Sequence, residues 1–455
     1  MRNPRPKFWC NYSETGYNYG MNEATYKLRR DRLLAMMDEG AAVIGAAAPK
    51  VRTNDTEYPY RQDSDFHYLT GFEEDNAVLV LVKRATETKS VLFVQPKDEA
   101  MELWTGKRSG VEAAAAHFDV DAVEAVTDFE VRLPELLQNL PRLYGDIFGD
   151  GRWFALAKTA AEKLRHKRET KRPVTQLLDV PHLVRRMRLL KSEEEIALIR
   201  KGLEITVEAH HHAMRICRPG MMEYELQAEY EYMFTKNGAY SDAYTTIVAG
   251  GDHANTLHYI KNDAPLNGGE LVLIDAGCEY RHYATDITRT FPVGGQFTQA
   301  QREVYEAVLE VQLAVIAQIG PGILKSELQQ NAERLLCGQM VKLGILDGEV
   351  DALMEAKKHK KYFPHGIGHW MGIDVHDPAP YYDDAGEEFP LEAGMVLTVE
   401  PGLYLPADDG EVPEKYRGIG IRIEDDILVT EEGRENLSRA VAKTVAEIEA
   451  ACNAF

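Results

Sequence analysis

Four carboxylates in this sequence stand where carboxylates are costly. Asp275 ends the apolar run Leu271-Val-Leu-Ile274, Asp286 opens Asp286-Ile-Thr-Arg-Thr-Phe291, Glu400 ends Met395-Val-Leu-Thr-Val399, and Glu424 follows Gly418-Ile-Gly-Ile-Arg-Ile423. A charge inside a β-like apolar run has to be paired or bound to a cation. The bland pairing for the first two acids is a salt bridge to Arg281 or Arg289. The chemical alternative joins all four acids to one histidine of the glycine-rich segment Pro364-His365-Gly-Ile-Gly-His369-Trp-Met-Gly-Ile-Asp-Val-His376-Asp377. That set is mostly hard oxygen and suits Mn²⁺ or Mg²⁺ better than a thiolate-loving ion. With bridging carboxylates it holds two ions, and two metals roughly 3.5–4 Å apart acidify a shared water and polarise a carbonyl, which is hydrolytic chemistry.

Competing motifs fail on their own terms. His365-x3-His369 has the spacing of a helical zinc pair, but Pro364, Gly366 and Gly368 oppose a helix and no Glu follows the first histidine. No dinucleotide, nucleophile-elbow or phosphate-loop pattern occurs. The run His210-His211-His212 lies in a predicted helix, so its members splay around the axis as packing and surface residues. Lys357-Lys358-His359-Lys360-Lys361 reads as a solvated segment, and His67, His117, His166 and His182 are too scattered to form a ligand cluster.

The elements that must position these groups are legible in the apolar periodicity. Up to about residue 185, short apolar runs (Ala41–Ala47, Ala77–Val82, Ser90–Val94) predict strands and Tyr26–Met37 predicts a helix, an α/β pattern. The boundary falls near Arg185–Lys191, giving domains 1–188 and 189–455. Ser192 and Glu195 form a capping box before Ile196, Ile199, Leu203, Val207 and His210, so a long helix opens the second domain and stops at Arg218-Pro-Gly220. A second helix follows from about Glu223 to Lys236. The layout returns a hundred residues on: Thr298 and Gln301 cap a helix ending at Gly320-Pro-Gly322, and both junctions read Pro-Gly-x4-Glu-Leu (Pro219 to Leu226, Pro321 to Leu328). This repeat implies an internal duplication whose halves meet at a seam. Leu271 to Phe291 predicts two strands around a polar turn. Asp286, Thr288 and Thr290 share one strand face, and Arg422 stands beside Glu424 on another.

Composition removes whole classes of function. The 455 residues allow two or three domains, and 52 Lys plus Arg against 73 Asp plus Glu leave a formal charge of −21, which disfavours nucleic acid as a partner. The five cysteines (Cys10, Cys217, Cys278, Cys337, Cys452) form no CxxC or paired framework and suit a reducing compartment. Residues Met1 to Gly20 lack the apolar core of a signal peptide, and the apolar stretches are far shorter than the roughly 20 residues that cross a bilayer. The expected address is cytoplasmic, with no membrane partner.

Taken together, Ile274-Asp-Ala-Gly-Cys-Glu-Tyr280, Asp286-Ile-Thr-Arg-Thr-Phe-Pro292, His365-Gly-x-x-His-Trp370, Val375-His-Asp377, Val399-Glu-Pro-Gly-Leu-Tyr404 and Tyr416-Arg-Gly-Ile-Gly-Ile-Arg-Ile-Glu-Asp-Asp426 resemble the bacterial aminopeptidase P family of pita-bread metallopeptidases, from about Asn22 to Ala450. The resemblance implies an α/β N-terminal domain and an α+β pita-bread catalytic domain with an internal pseudo-two-fold duplication. It implies Asp275, Asp286, His369, Glu400 and Glu424 as ligands of two Mn²⁺ ions per subunit, with Asp286 and Glu424 shared. His258, His365 and His376 would surround the metals, hold the substrate and stabilise the tetrahedral intermediate. Glu400 would also handle the proton of a hydroxide bridging the ions, and Arg422 would keep Glu424 and its neighbours ionised and oriented.

The same resemblance places Trp104, His258, His376 and Tyr404 against the substrate, with Trp104 supplied by a neighbouring subunit of a dimer or tetramer. The alternative for Trp104 is a core side chain. The implied reaction removes an N-terminal residue followed by proline, with the free α-amine bound near Asp275. An Xaa-Pro dipeptidase on the same metal site is the nearest alternative; a methionine aminopeptidase, which needs no such N-terminal domain, and an inactive pita-bread binding protein are further ones. Two features depart from the pattern. The loop Pro378–Pro390 has four acids and no Lys or Arg, where relatives carry an arginine, and residues 1–21 have no counterpart.

Overall fold

The computed structural model describes residues 21–149 and 151–454. The chain divides into two units that meet in sequence between Met187 and Arg188.

The first unit is built on a six-stranded sheet in the order 122–125, 88–94, 78–83, 40–45, 142–145, 176–179. Its central strands Gly40–Gly45 and Val78–Lys83 pair antiparallel, while 142–145 and 176–179 continue the sheet in parallel. Ala41–Ile44 and Val78–Val82 are buried without alternation, as strands covered on both faces must be. On one face Phe129 lies edge-on to Phe93 and to Trp153, with ring centroids 5.2 and 5.3 Å apart. The first helix spans Glu23–Met36, three residues earlier than its periodicity predicts, because the Asn22 side chain accepts a hydrogen bond from the Ala24 N–H and caps it. The first strand ends at Gly45 rather than Ala47, since the Ala47 N–H turns to the Gln62 side chain.

In the second unit the predicted duplication is visible as repeated bonding. Helices Glu193–Ile216 and Glu223–Lys236 precede a sheet ordered 247–250, 271–276, 287–292; helices Gln299–Ile316 and Lys325–Lys342 precede one ordered 396–399, 425–430, 433–436. Ser192 with Glu195, and Thr298 with Gln301, form the expected capping boxes. At each Pro-Gly junction the glycine N–H reaches across to a leucine carbonyl (Gly220 to Leu266, Gly322 to Leu391), and the leucine N–H returns to the residue after the glycine, Met221 or Ile323. Two stretches of the same chain thus make the same turn with the same bonds.

The segment 271–292 is richer than two strands. Between Leu271–Ala276 and Ile287–Pro292 lies a small hairpin, Cys278–Tyr280 with Tyr283–Ala284. Gly277 permits it, because a Cβ there would fall 1.6 Å from the Thr285 carbonyl oxygen. Strand alternation then sends Arg289 away from Thr288 and Thr290. Arg289 is fully buried and donates to Asp425, to the Thr288 and Glu424 carbonyls and to the Ala442 carbonyl. Burial alone would raise Asp425, but Arg289 and Lys443 hold its carboxyl well below the usual carboxylate range. The bland pairing of Arg289 with Asp275 or Asp286 is therefore not what the chain makes; Arg289 bonds the two half-sheets together.

Replacing Arg289 by leucine strips this joint while leaving Asp425 and three carbonyls in the interior. The expected cost is about 3–5 kcal/mol in urea denaturation; a loss below about 1 kcal/mol would show that the joint does not carry the seam.

Candidate active site

The carboxylates converge where the two half-sheets meet. Asp275 lies near the end of strand Leu271–Ala276 and Asp286 just before strand Ile287–Pro292, both from the first half; Glu400 follows strand Val396–Val399 and Glu424 precedes strand Asp425–Thr430, both from the second. His369 comes from the segment His365–Asp377, which is neither helix nor regular strand, as Pro364, Gly366 and Gly368 predict. That segment is pinned to strand 396–399: the His369 N–H donates to Thr398 Oγ1 at 3.1 Å and the Thr398 N–H to the His369 carbonyl at 2.9 Å. Gly368 makes the approach possible, since a Cβ there would stand 1.9 Å from the Thr398 carbonyl oxygen.

His369 Nδ1 lies 3.0 Å from the Trp370 carbonyl oxygen, which directs Nε2 toward the acids: 3.4 Å from Asp286 Oδ2 and 3.9 Å from Glu400 Oε1. Asp286, His369 and Glu424 each offer a ligand atom, all within 4.8 Å of one another. Burial opposes charge on His369, yet Asp286 and Glu400 push it up to about 9. Burial is also the main force on the acids. With Asp275 it raises Asp286, with the neighbouring carboxylates it raises Glu424 well above the normal range, and it raises Glu400 to about 7 against the pull of His369 and Arg422. Such crowding destabilises the ionised side chains until a cation enters, and divalent ions fit this donor set of hard oxygens and one imidazole.

Arg422 favours the charged form of Glu424 through its field, against the larger effect of burial, rather than by a direct ion pair. Its guanidinium does not pair with Glu424; Nη2 donates to Asp275 Oδ2 at 2.7 Å, Nη1 to the Tyr404 hydroxyl at 3.0 Å and Nε to Thr288 Oγ1 at 3.2 Å. Thr288 passes the contact on, donating to Glu424 Oε2 at 2.7 Å. Strand Ile419–Arg422 ends before Glu424, so simple alternation no longer aligns the two side chains. The Tyr404 hydroxyl in turn donates to His365 Nε2 at 2.7 Å, and His365, buried near Arg422, is pushed down to about 4. His376 stacks edge-on to His369, ring centroids 4.2 Å apart. His258 is exposed and lies within electrostatic reach of both His365 and His376. Trp104 belongs to the first unit, on helix Glu99–Thr105, and is 83% exposed, so it is not a core side chain.

Three residues of this site escaped sequence reasoning. The Tyr244 hydroxyl lies 2.5 Å from both Asp275 Oδ1 and Asp286 Oδ1, with one proton to share between them. Asp426 Oδ2 accepts from the Asp286 N–H at 3.0 Å. Asp377, flanking His376, is held by Arg188 at 3.2 Å with Lys191 4.0 Å away, which braces the histidine-bearing loop from behind. Asp377 and Asp426 stand inside motifs quoted above but carried no role there, whereas Tyr244 sits in a stretch with no apolar pattern to flag it.

Two half-sheets presenting acids to a shared seam define a duplicated metallohydrolase fold, and the comparisons agree. A family model described as "Metallopeptidase family M24" matches residues 197–431, and one described as "Aminopeptidase P, N-terminal domain" matches residues 26–144. The Xaa-Pro aminopeptidase of Escherichia coli (strain K12) is 47% identical over 93% of this chain and 96% of its own. That of Haemophilus influenzae is 42% identical over 96% and 99%. A solved structure of zinc-substituted Escherichia coli aminopeptidase P in complex with product superposes with a TM-score of 0.91 at 46% identity, covering 95% of this chain and 98% of that one. The chain belongs to metallopeptidase family M24, with the pita-bread catalytic domain and the N-terminal domain of the aminopeptidase P proteins. Divalent-metal binding follows from that membership.

Tyr244 tests how far the outer residues shape the ligand set. Tyr244→Phe removes the hydroxyl shared by Asp275 and Asp286, and calorimetric titration with Mn²⁺ should show affinity falling by about tenfold or more; unchanged affinity would contradict the arrangement.

Proposed function

We propose that this chain releases the N-terminal residue from peptides with proline in second position, with Asp275, Asp286, His369, Glu400 and Glu424 holding two Mn²⁺ ions. The observation that carries the reading is the meeting of Asp286, Glu424 and His369, from two half-sheets and a separate loop, within one ligand-sized space. When bound there, divalent ions polarise a carbonyl and lower the pKa of water toward neutrality.

The chain's own groups account for the rest. The peptide's free α-amine would bind near Asp275 and one of the ions, which selects the peptide's first residue. The X–Pro bond is a tertiary amide with no N–H, so its nitrogen leaves only once a proton is delivered to it. Glu400, beside the attacked carbonyl as one of the metal-holding carboxylates, would take a proton from water and return it to that nitrogen. His376, packed against His369, and His258, within electrostatic reach of His376, would stabilise oxygen charge as the carbonyl carbon becomes tetrahedral. Tyr404 acts through His365, fixing the imidazole from behind while Arg422 fixes Tyr404. Trp104 stands out from its helix beside the equally exposed Leu103, which supports its contribution to the pocket of a second subunit in a homo-oligomer. Cys217, Cys278, Cys337 and Cys452 are free, in keeping with a cytoplasmic location.

Purified protein should carry manganese when metal is supplied and should cleave Xaa-Pro-Xaa peptides. Activity confined to Xaa-Pro dipeptides would contradict the aminopeptidase reading. Asp286→Ala should keep the native circular dichroism spectrum but lose turnover by about a thousandfold or more, as removal of several kcal/mol of charge stabilisation requires. Full activity in that variant would overturn the ligand assignment.

A further inference from the structure

Lys325 opens helix Lys325–Lys342, the second helix of the second half, and lies four residues before Gln329 on the same helix face. That face rests on the active-site loop, because Gln329 Oε1 accepts from the Ile367 N–H at 2.6 Å, midway between His365 and His369. The Lys325 ammonium lies 5.0 Å from the centre of the Tyr381 ring, and Tyr381 stacks on Trp370, the residue after His369, at 5.2 Å. Lys325 feels the charge of both Glu400 and Glu388. Yet among the described residues it makes no hydrogen bond or ion pair. Glu388 is taken by the backbone and hydroxyl of Ser326. Asp383, in the acidic loop Pro378–Pro390, turns inward to cap the backbone of Ala385 and Glu387.

A half-buried ammonium that meets an aromatic face but no hydrogen-bond or ion-pair partner among the described residues carries a desolvation cost that an anionic ligand would offset. Peptides enter this site amine first, so in a short substrate the group left to meet a cation at the rim is its terminal carboxylate. We propose that Lys325 is a specificity-determining residue that binds the free carboxylate of a short peptide just beyond the proline, over the Tyr381–Trp370 platform. This deepens the Xaa-Pro aminopeptidase reading and rests on it. The enzyme then favours Xaa-Pro-Xaa acids over the same peptides ending in an amide.

The test compares one Xaa-Pro-Xaa peptide as free acid and as C-terminal amide, with Mn²⁺-loaded wild type, Lys325→Met and Lys325→Arg. Wild type should prefer the acid, and Lys325→Met should lower kcat/KM for the acid about tenfold, chiefly through KM, while the amide changes less than about twofold. Lys325→Arg should keep most of the preference. Equal losses on acid and amide, or no loss on the acid, would overturn the assignment of Lys325 alone. Failure of wild type to cleave either peptide would overturn the aminopeptidase reading beneath it.

Discussion

The mutual repulsion of four acids gathered around one imidazole governs this structure. Asp275, Asp286, Glu400 and Glu424 are brought together in a largely dry seam, where burial and proximity push Asp286, Glu400 and Glu424 toward their neutral forms. Evenly spread ion pairs would have relieved that tension, as Arg289 and Lys443 relieve it at Asp425. Here the only full-time cation the described residues bring into contact with the four acids is Arg422, on Asp275; the other contacts come from His369, His365 and the hydroxyls of Tyr244 and Thr288. The remaining charge is an unmet demand for cations, and a membership in the metallopeptidases is its chemical counterpart.

Duplication explains how one chain meets that demand. Each half contributes a helix pair, a junction with the same leucine-to-glycine bonds, and a short sheet with two of the acids at its strand ends. Neither half alone places more than a pair of carboxylates. The seam between them is therefore both the weakest place in the domain, where like charges meet, and the place where function requires rigidity. Arg289 reconciles the two by tying the first half's strand to the second half's Asp425 on the side away from the site. The Thr288–Arg422–Tyr404–His365 chain does the same on the near side.

Much of this was legible in the residues. The capping boxes at Ser192 and Thr298 survive because they rest on chemistry that neighbours in sequence can satisfy, and the apolar strands and the repeated Pro-Gly-x4-Glu-Leu junction survive because their patterns mark the elements even though distant residues complete the bonds. What was missed depends on partners far apart in the chain. Tyr244 matters only because it meets Asp275 and Asp286, and Arg422 turned to Asp275, 147 residues away, instead of its neighbour Glu424. Alternation places a side chain on a face; it does not choose which of several acids the side chain will find.

The central claim is that the seam is a cage for two divalent ions. Diffraction from crystals grown with Mn²⁺, recorded on both sides of the manganese absorption edge, examines it directly. The expected result is two anomalous peaks roughly 3.5 Å apart, enclosed by Asp275, Asp286, His369, Glu400 and Glu424. Manganese bound elsewhere, with those five side chains still turned to Tyr244, Thr288 and Arg422 around no ion, would contradict it.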